Sequence, residues 1–102
     1  MHAIYLVTTP DDGTTRPVVL LTREAVVPYL QRVTVAAITS TIRGLRTEVV
    51  VDRANGVDHE SAVSCDNIQT ITKARLGEPI GRLTIDQEAR LSEAIRTAFD
   101  LL

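Results

Sequence analysis

Apolar residues in the 102-residue chain fall into short blocks separated by turn formers. Residues 3–7 (AIYLV) make the first block, and residues 8–15 (TTPDDGTT) are so dense in turn formers that they predict a loop. Residues 17–22 (PVVLLT) are almost continuously apolar and β-branched, the pattern of a buried strand. Pro17 can open that strand without removing a needed donor. The stretch 23–32 (REAVVPYLQR) is ambiguous, since Pro28 limits any helix to about one turn before it. Strands are predicted again at 33–39 and 47–51, with Arg43-Gly44 in the turn between them. Asn55-Gly56 is a further turn signal. Residues 62–65, 69–72 and 79–83 read as three more short strands, and the isolated Gly44, Gly77 and Gly81 as turn positions.

At residue 84 the period changes. Thr84 with Gln87 three residues later forms a capping box, and Asp86 in the first turn favours the helix dipole. Leu91, Ile95, Ala98 and Leu102 then recur at helical spacing while Glu88, Arg90, Glu93 and Arg96 lie off that stripe. The pattern predicts an amphipathic helix of roughly four turns, packed by one face. Short strands followed by one terminal helix predict a mainly β fold, a small twisted sheet or part-closed barrel, in a single domain over residues 1–102. With Tyr5, Tyr29 and Phe99 the only aromatics, its core must be built from Val, Ile, Leu and Ala.

Composition narrows the chemistry. The formal net charge of −2 argues against a general polyanion binder. Yet residues 32–53 hold four arginines against Glu48 and Asp52, which leaves room for a confined anion site. Residues 86–102 reverse the balance, with four acids against Arg90 and Arg96. Cys65 is the lone cysteine, so no disulfide forms within the chain, and its apolar strand points to packing rather than nucleophilic attack. The N-terminus lacks the features of a signal peptide, and no apolar run is long enough to span a bilayer, so a cytoplasmic location is expected. His2 reads as a frayed terminal residue and His59 as a solvated loop residue; no cluster has metal-ligand spacing. There is no Gly-rich phosphate loop and no aromatic stacking platform. An enzyme built from this sequence must work with Arg, Thr, Ser, carboxylates and backbone groups. The hydroxyl cluster Thr39-Ser40-Thr41, at the end of a strand and beside Arg43, is where such groups converge.

The ordered set Arg16-Pro17-Val18-Val19-Leu20-Leu21, Ala36-Ala37-Ile38-Thr39-Ser40-Thr41 and Gly44-Leu45-Arg46-Thr47-Glu48-Val49 resembles the MazF/PemK family of toxin endoribonucleases. The resemblance continues through Asn55-Gly56-Val57, Cys65-Asp66-Asn67-Ile68-Gln69-Thr70-Ile71, Lys73-Ala74-Arg75-Leu76 and Ile80-Gly81-Arg82-Leu83. It implies an SH3-like barrel of the CcdB/MazF type, usually a homodimer. The implied activity is metal-independent cleavage of single-stranded RNA at short motifs, leaving a 2′,3′-cyclic phosphate and a 5′-hydroxyl. Such cleavage inhibits translation and growth, needs no cofactor, and is silenced by a cognate antitoxin. The family's key arginine maps onto Arg16 and its key threonine onto Thr39. Ser40, Thr41 and Arg43 are the next candidates for RNA contacts, with Asn67 and Gln69 as base readers. The chain departs from the pattern at 8–15, which lacks Glu and Gln, and at His2-Ala3. Asp11 and Asp12 of that loop are expected to face solvent. The alternative reading is a non-enzymatic, CcdB-like gyrase poison, which the absence of tryptophan disfavours.

Overall fold

The computed structural model describes residues 1–102. Its strands are β1 (Ala3–Thr8), β2 (Thr15–Leu20), β3 (Arg32–Thr39), β4 (Glu48–Val51), β5 (Ser61–Thr72) and β6 (Leu76–Arg82), followed by the helix α1 (Ile85–Ala98). All pairings are antiparallel, in the order β4-β5-β3-β2-β1-β6. The mainly β expectation with one terminal helix is borne out.

The central strands are apolar on both sides because the sheet has two cores. Ile4, Val19, Ala36, Ile38, Val51 and Val63 pack under α1 with Leu91 and Ala94. Val7, Val18, Leu20, Val33, Val35 and Ile71 form a second, smaller cluster. Side chains alternate between faces along a strand, so the run Val18-Val19-Leu20 feeds both. The aromatics contribute little: Tyr29 is 86% exposed and Phe99 54%.

Four expectations change. Residues 62–65 and 69–72 are not separate strands but parts of the 12-residue β5. The ladder to β3 steps from Ala36↔Ile68 to Ala37↔Ser64, so Cys65, Asp66 and Asn67 form a bulge that interrupts the sequence period. Gly77 and Gly81 lie within β6 rather than in turns. A Cβ on Gly81 would sit 1.8 Å from the Asn55 carbonyl oxygen, and one on Gly56 1.9 Å from that of Ile80. This contact closes the rolled sheet, because it brings the outer strand β6 against the turn that follows β4, the other outer strand. Gly81 is a glycine for proximity; Gly56 is one both for proximity and for its φ of 94° in the Asn55-Gly56 turn.

His2 is not frayed. Its backbone N–H donates to Glu88 Oε2 at 2.6 Å and its Nδ1 lies 2.6 Å from Glu88 Oε1. The β1–β6 pairing carries residue 2 to the first turn of the helix, where Leu83 N–H donates to the His2 carbonyl. At the other end, Leu102 is off the helical stripe and fully exposed. The helix stops because Asp100 turns to φ 54°, letting Leu101 N–H reach back to the Arg96 carbonyl. The Thr84–Gln87 capping box forms as the spacing predicts. Gln87 also exchanges amide hydrogen bonds with buried Asn55, at 2.6 and 3.0 Å, which locks the helix to the closing turn. No helix is long and apolar enough to cross a membrane.

Candidate functional site

The floor of the site is the smaller core. Val7, Val18, Val35 and Ile71 line the bottom of a cavity of about 350 Å³, and Arg16, Thr39, Ser40, Asn67, Gln69 and Arg75 form its polar walls. The sheet register explains the meeting of Arg16 and Thr39. β2 and β3 are paired at Val18↔Ala37, and two further residues along each strand bring Arg16 level with Thr39. Both lie on the same face as the floor residues, by strand alternation.

The polar groups are in states suited to an anion. Arg16 is exposed and its guanidinium makes no hydrogen bond or ion pair within the chain, so its N–H donors are free. The Thr39 hydroxyl accepts the Thr41 N–H at 3.1 Å. A hydroxyl has one donor and two acceptor positions, and with an acceptor position used its proton remains to be given. Gln69 Nε2 donates to Asn67 Oδ1 at 3.0 Å, which leaves the Asn67 amide N–H groups and the Gln69 carbonyl unpaired in the same wall. No carboxylate lines this cavity, although the chain is acidic overall.

Five of the seven residues singled out from sequence thus share one cavity: Arg16, Thr39, Ser40, Asn67 and Gln69. Thr41 and Arg43 do not join them. They line a neighbouring depression that includes Thr39 and Asn67 but also Glu48 and Asp66. The buried Glu48 carboxylate accepts the backbone N–H groups of Arg43 and Leu45, each at 3.1 Å, and so shapes the turn after Thr39.

Arg75 and Thr9 are the wall residues that sequence reasoning missed. Arg75 lies in a short 3₁₀ turn (Lys73–Arg75), is half-buried, and donates from Nε to the Thr8 carbonyl at 3.0 Å. In the sequence it stood only within the matched segment Lys73-Ala74-Arg75-Leu76; what places it is the pairing of β6 with β1.

The loop after β1 is held by Asp12. Its carboxylate accepts from the Thr9 hydroxyl, from Thr14 N–H at 3.0 Å and from the Thr14 hydroxyl at 2.8 Å. These bonds, the Thr9 hydroxyl foremost, lower its pKa to about 2. Asp11 and Asp12 are both exposed, as expected. On the far side of Arg16 a second cavity, about 500 Å³, includes Ser40, Asp58 and His59. His59 Nδ1 lies 2.6 Å from Asp58 Oδ1, with both side chains largely in solvent. Cys65 is buried; desolvation, then the charge of Asp66, push its thiol up to about 11. It is a packing residue at neutral pH.

Comparison with known proteins adds independent information. Residues 2–99 match the family model described as PemK-like, MazF-like toxin of type II toxin-antitoxin system. The chain is 59% identical over 86 residues, 84% of each sequence, to a Mycobacterium tuberculosis protein named endoribonuclease MazF3. It superposes on the M. tuberculosis toxin MazF-mt6 with a TM-score of 0.90 at 52% identity, covering 98% of both chains. A mycobacterial endoribonuclease solved in complex with its cognate antitoxin shares the fold, with a TM-score of 0.83 at 23% identity over 98% of this chain and 93% of that one.

Proposed function

Given that the chain belongs to the PemK-like, MazF-like toxin family of type II toxin-antitoxin systems, we propose that it is an endoribonuclease in which Arg16 and Thr39 are catalytic. The reaction is an internal transesterification of single-stranded RNA. The ribose 2′-oxygen bonds to the adjacent phosphorus, the bond from phosphorus to the 5′-oxygen breaks, and the 2′-proton passes to solvent while the leaving oxygen gains one. The products are a 2′,3′-cyclic phosphate and a 5′-hydroxyl.

A guanidinium, protonated throughout the physiological range, is a poor base but a strong partner for a phosphate that gains negative charge. Arg16 therefore stabilises that charge and supplies the proton to the 5′-oxygen, regaining one from solvent. Thr39 donates its hydroxyl to a non-bridging oxygen from a strand end, as an oxyanion donor does. The single observation that carries this reading is the shared cavity wall in which the Arg16 guanidinium has no hydrogen-bond partner in the chain and Thr39 has one acceptor position taken by Thr41 N–H. Ser40, Asn67 and Gln69 lie where the flanking nucleotides would be held, with the unpaired amide groups of Asn67 and Gln69 available to base edges. No metal or cofactor enters the chemistry.

The partners follow from the same reading: a second copy of the chain in a homodimer, and an antitoxin that presents an acidic segment to the arginine-bearing wall. Cleavage of message RNA would inhibit translation and growth.

The test is incubation of the protein with end-labelled RNA in EDTA. Cleavage is expected to persist, with cyclic phosphate at the new 3′ ends. Arg16→Ala should lower the rate by a factor on the order of a hundred or more, the usual cost of one transition-state donor. Undiminished cleavage by that variant removes Arg16 from the mechanism, and dependence on divalent metal removes the mechanism itself.

A further inference from the structure

We propose that Arg75 is a second phosphate clamp, holding the RNA phosphate next to the one being cut and so fixing which linkage lies under Arg16 and Thr39. The inference rests on the endoribonuclease reading above and gives that site its register on the substrate.

Strand β1 is the spacer. Val7 pairs with Arg16 of β2 on one side and with Leu76 of β6 on the other. Paired strands lie about 4.8 Å apart, so the backbones of Arg16 and Leu76 are roughly 10 Å from each other across Val7, with Arg75 the next residue back. Both arginines line the same cavity, and the apolar floor with Val7 lies between them.

Arg75 is also anchored. Its Nε donates to the Thr8 carbonyl at 3.0 Å while its two Nη groups have no partner in the chain. One edge of the guanidinium is thus fixed to the scaffold and the other presented for binding. A planar fork suits bidentate contact with phosphate oxygens. A single small anion has no need of two cations on opposite walls. A polymer with an anionic group at every unit does, with the intervening sugar and base resting on Val7, Val18 and Val35. No carboxylate is among the lining residues, so neither guanidinium has an acidic partner inside the cavity.

A purely structural role, tying the 3₁₀ turn to β1, is the competing explanation, and a double-mutant design separates the two. An oligonucleotide with a 2′-deoxy sugar at the cleavage point cannot react, so its affinity reports binding alone. One phosphate at a time is replaced by uncharged methylphosphonate. In the wild-type protein, replacement at one linkage beside the scissile one should weaken binding on the order of tenfold, the scale of a charged hydrogen bond. Arg75→Gln should bind the unmodified oligonucleotide about tenfold more weakly and become insensitive to that one replacement, the non-additivity expected of direct partners. Arg75→Lys, which keeps the charge and loses the fork, should fall between the two. On cleavable RNA the loss should appear in KM more than in kcat. Wild-type affinity in Arg75→Gln overturns the proposal. So does a loss that adds to every methylphosphonate alike, the signature of a structural tie. A wild-type protein that neither binds nor cuts single-stranded RNA instead overturns the nuclease reading, and that result is read before any variant is made.

Discussion

The Thr39 hydroxyl owes its proposed role to one backbone N–H. Because Thr41 N–H occupies an acceptor position, the hydroxyl is held in place while its proton stays available to a ligand in the cavity. Thr39→Ser keeps the oxygen and should retain much of the cleavage rate. Thr39→Val keeps the shape and loses the donor, and should fall by a factor of about a hundred or more. Single-turnover cleavage of labelled RNA distinguishes the cases; a Thr39→Val variant as fast as Thr39→Ser would remove the hydroxyl from the mechanism. The same residue shows the limits of local reading. A hydroxyl at a strand end is unremarkable in isolation. It gained meaning from Arg16, which lies 23 positions earlier and meets it only through the β2–β3 register.

Among the elements, β6 carries the most constrained position. Gly81 has no room for a side chain, since the Asn55 carbonyl would lie 1.8 Å from an added Cβ. Backbone must move to admit even a methyl group. Gly81→Ala should therefore cost about 3 kcal/mol, the upper range for overpacking, and should lower the melting temperature by more than 10 °C at about 4 °C per kcal/mol for a chain of this length. Thermal unfolding followed by circular dichroism measures it; a shift under 3 °C would mean that the closing contact is loose. From the sequence this glycine read as a turn, because a glycine that permits close approach looks the same as one that permits a bend. The capping box at Thr84 was legible, as its signal lies within three residues. The pairing of Gln87 with Asn55, 32 residues apart, was not, and neither was the bulge that fuses two apparent strands into β5. Arg75 was missed for the same reason: what brings it to the site is a pairing of the first strand with the last.

For the whole molecule, the balance of charge decides how RNA is held. The net charge is −2, and the positive groups facing the cavity are Arg16 and Arg75. Each phosphate neutralised on a single strand contributes a slope of about −0.7 in log affinity against log salt. Two contacts give a slope near −1.4, so affinity for a non-cleavable oligonucleotide should fall roughly 25-fold between 50 and 500 mM salt. A slope of −4 or steeper would require several more phosphate contacts, for which Arg43 in the neighbouring depression is the first place to look. On the proposed reading, sequence is read by neutral groups of the wall, for which Asn67 and Gln69 are the candidates.

The pairing of β1 with β6 has a consequence in time. Residue 7 finds one neighbour, Arg16, almost at once, but the other, Leu76, only after most of the chain has been made. At a synthesis rate of 5–20 residues per second, the 59 residues from Arg16 to Arg75 take about 3–12 s. Throughout that interval one wall of the cavity does not yet exist. A nascent chain that stops short of residue 75 thus carries Arg16 and Thr39 without the wall that faces them, and the cavity is completed only when β6 closes onto β1.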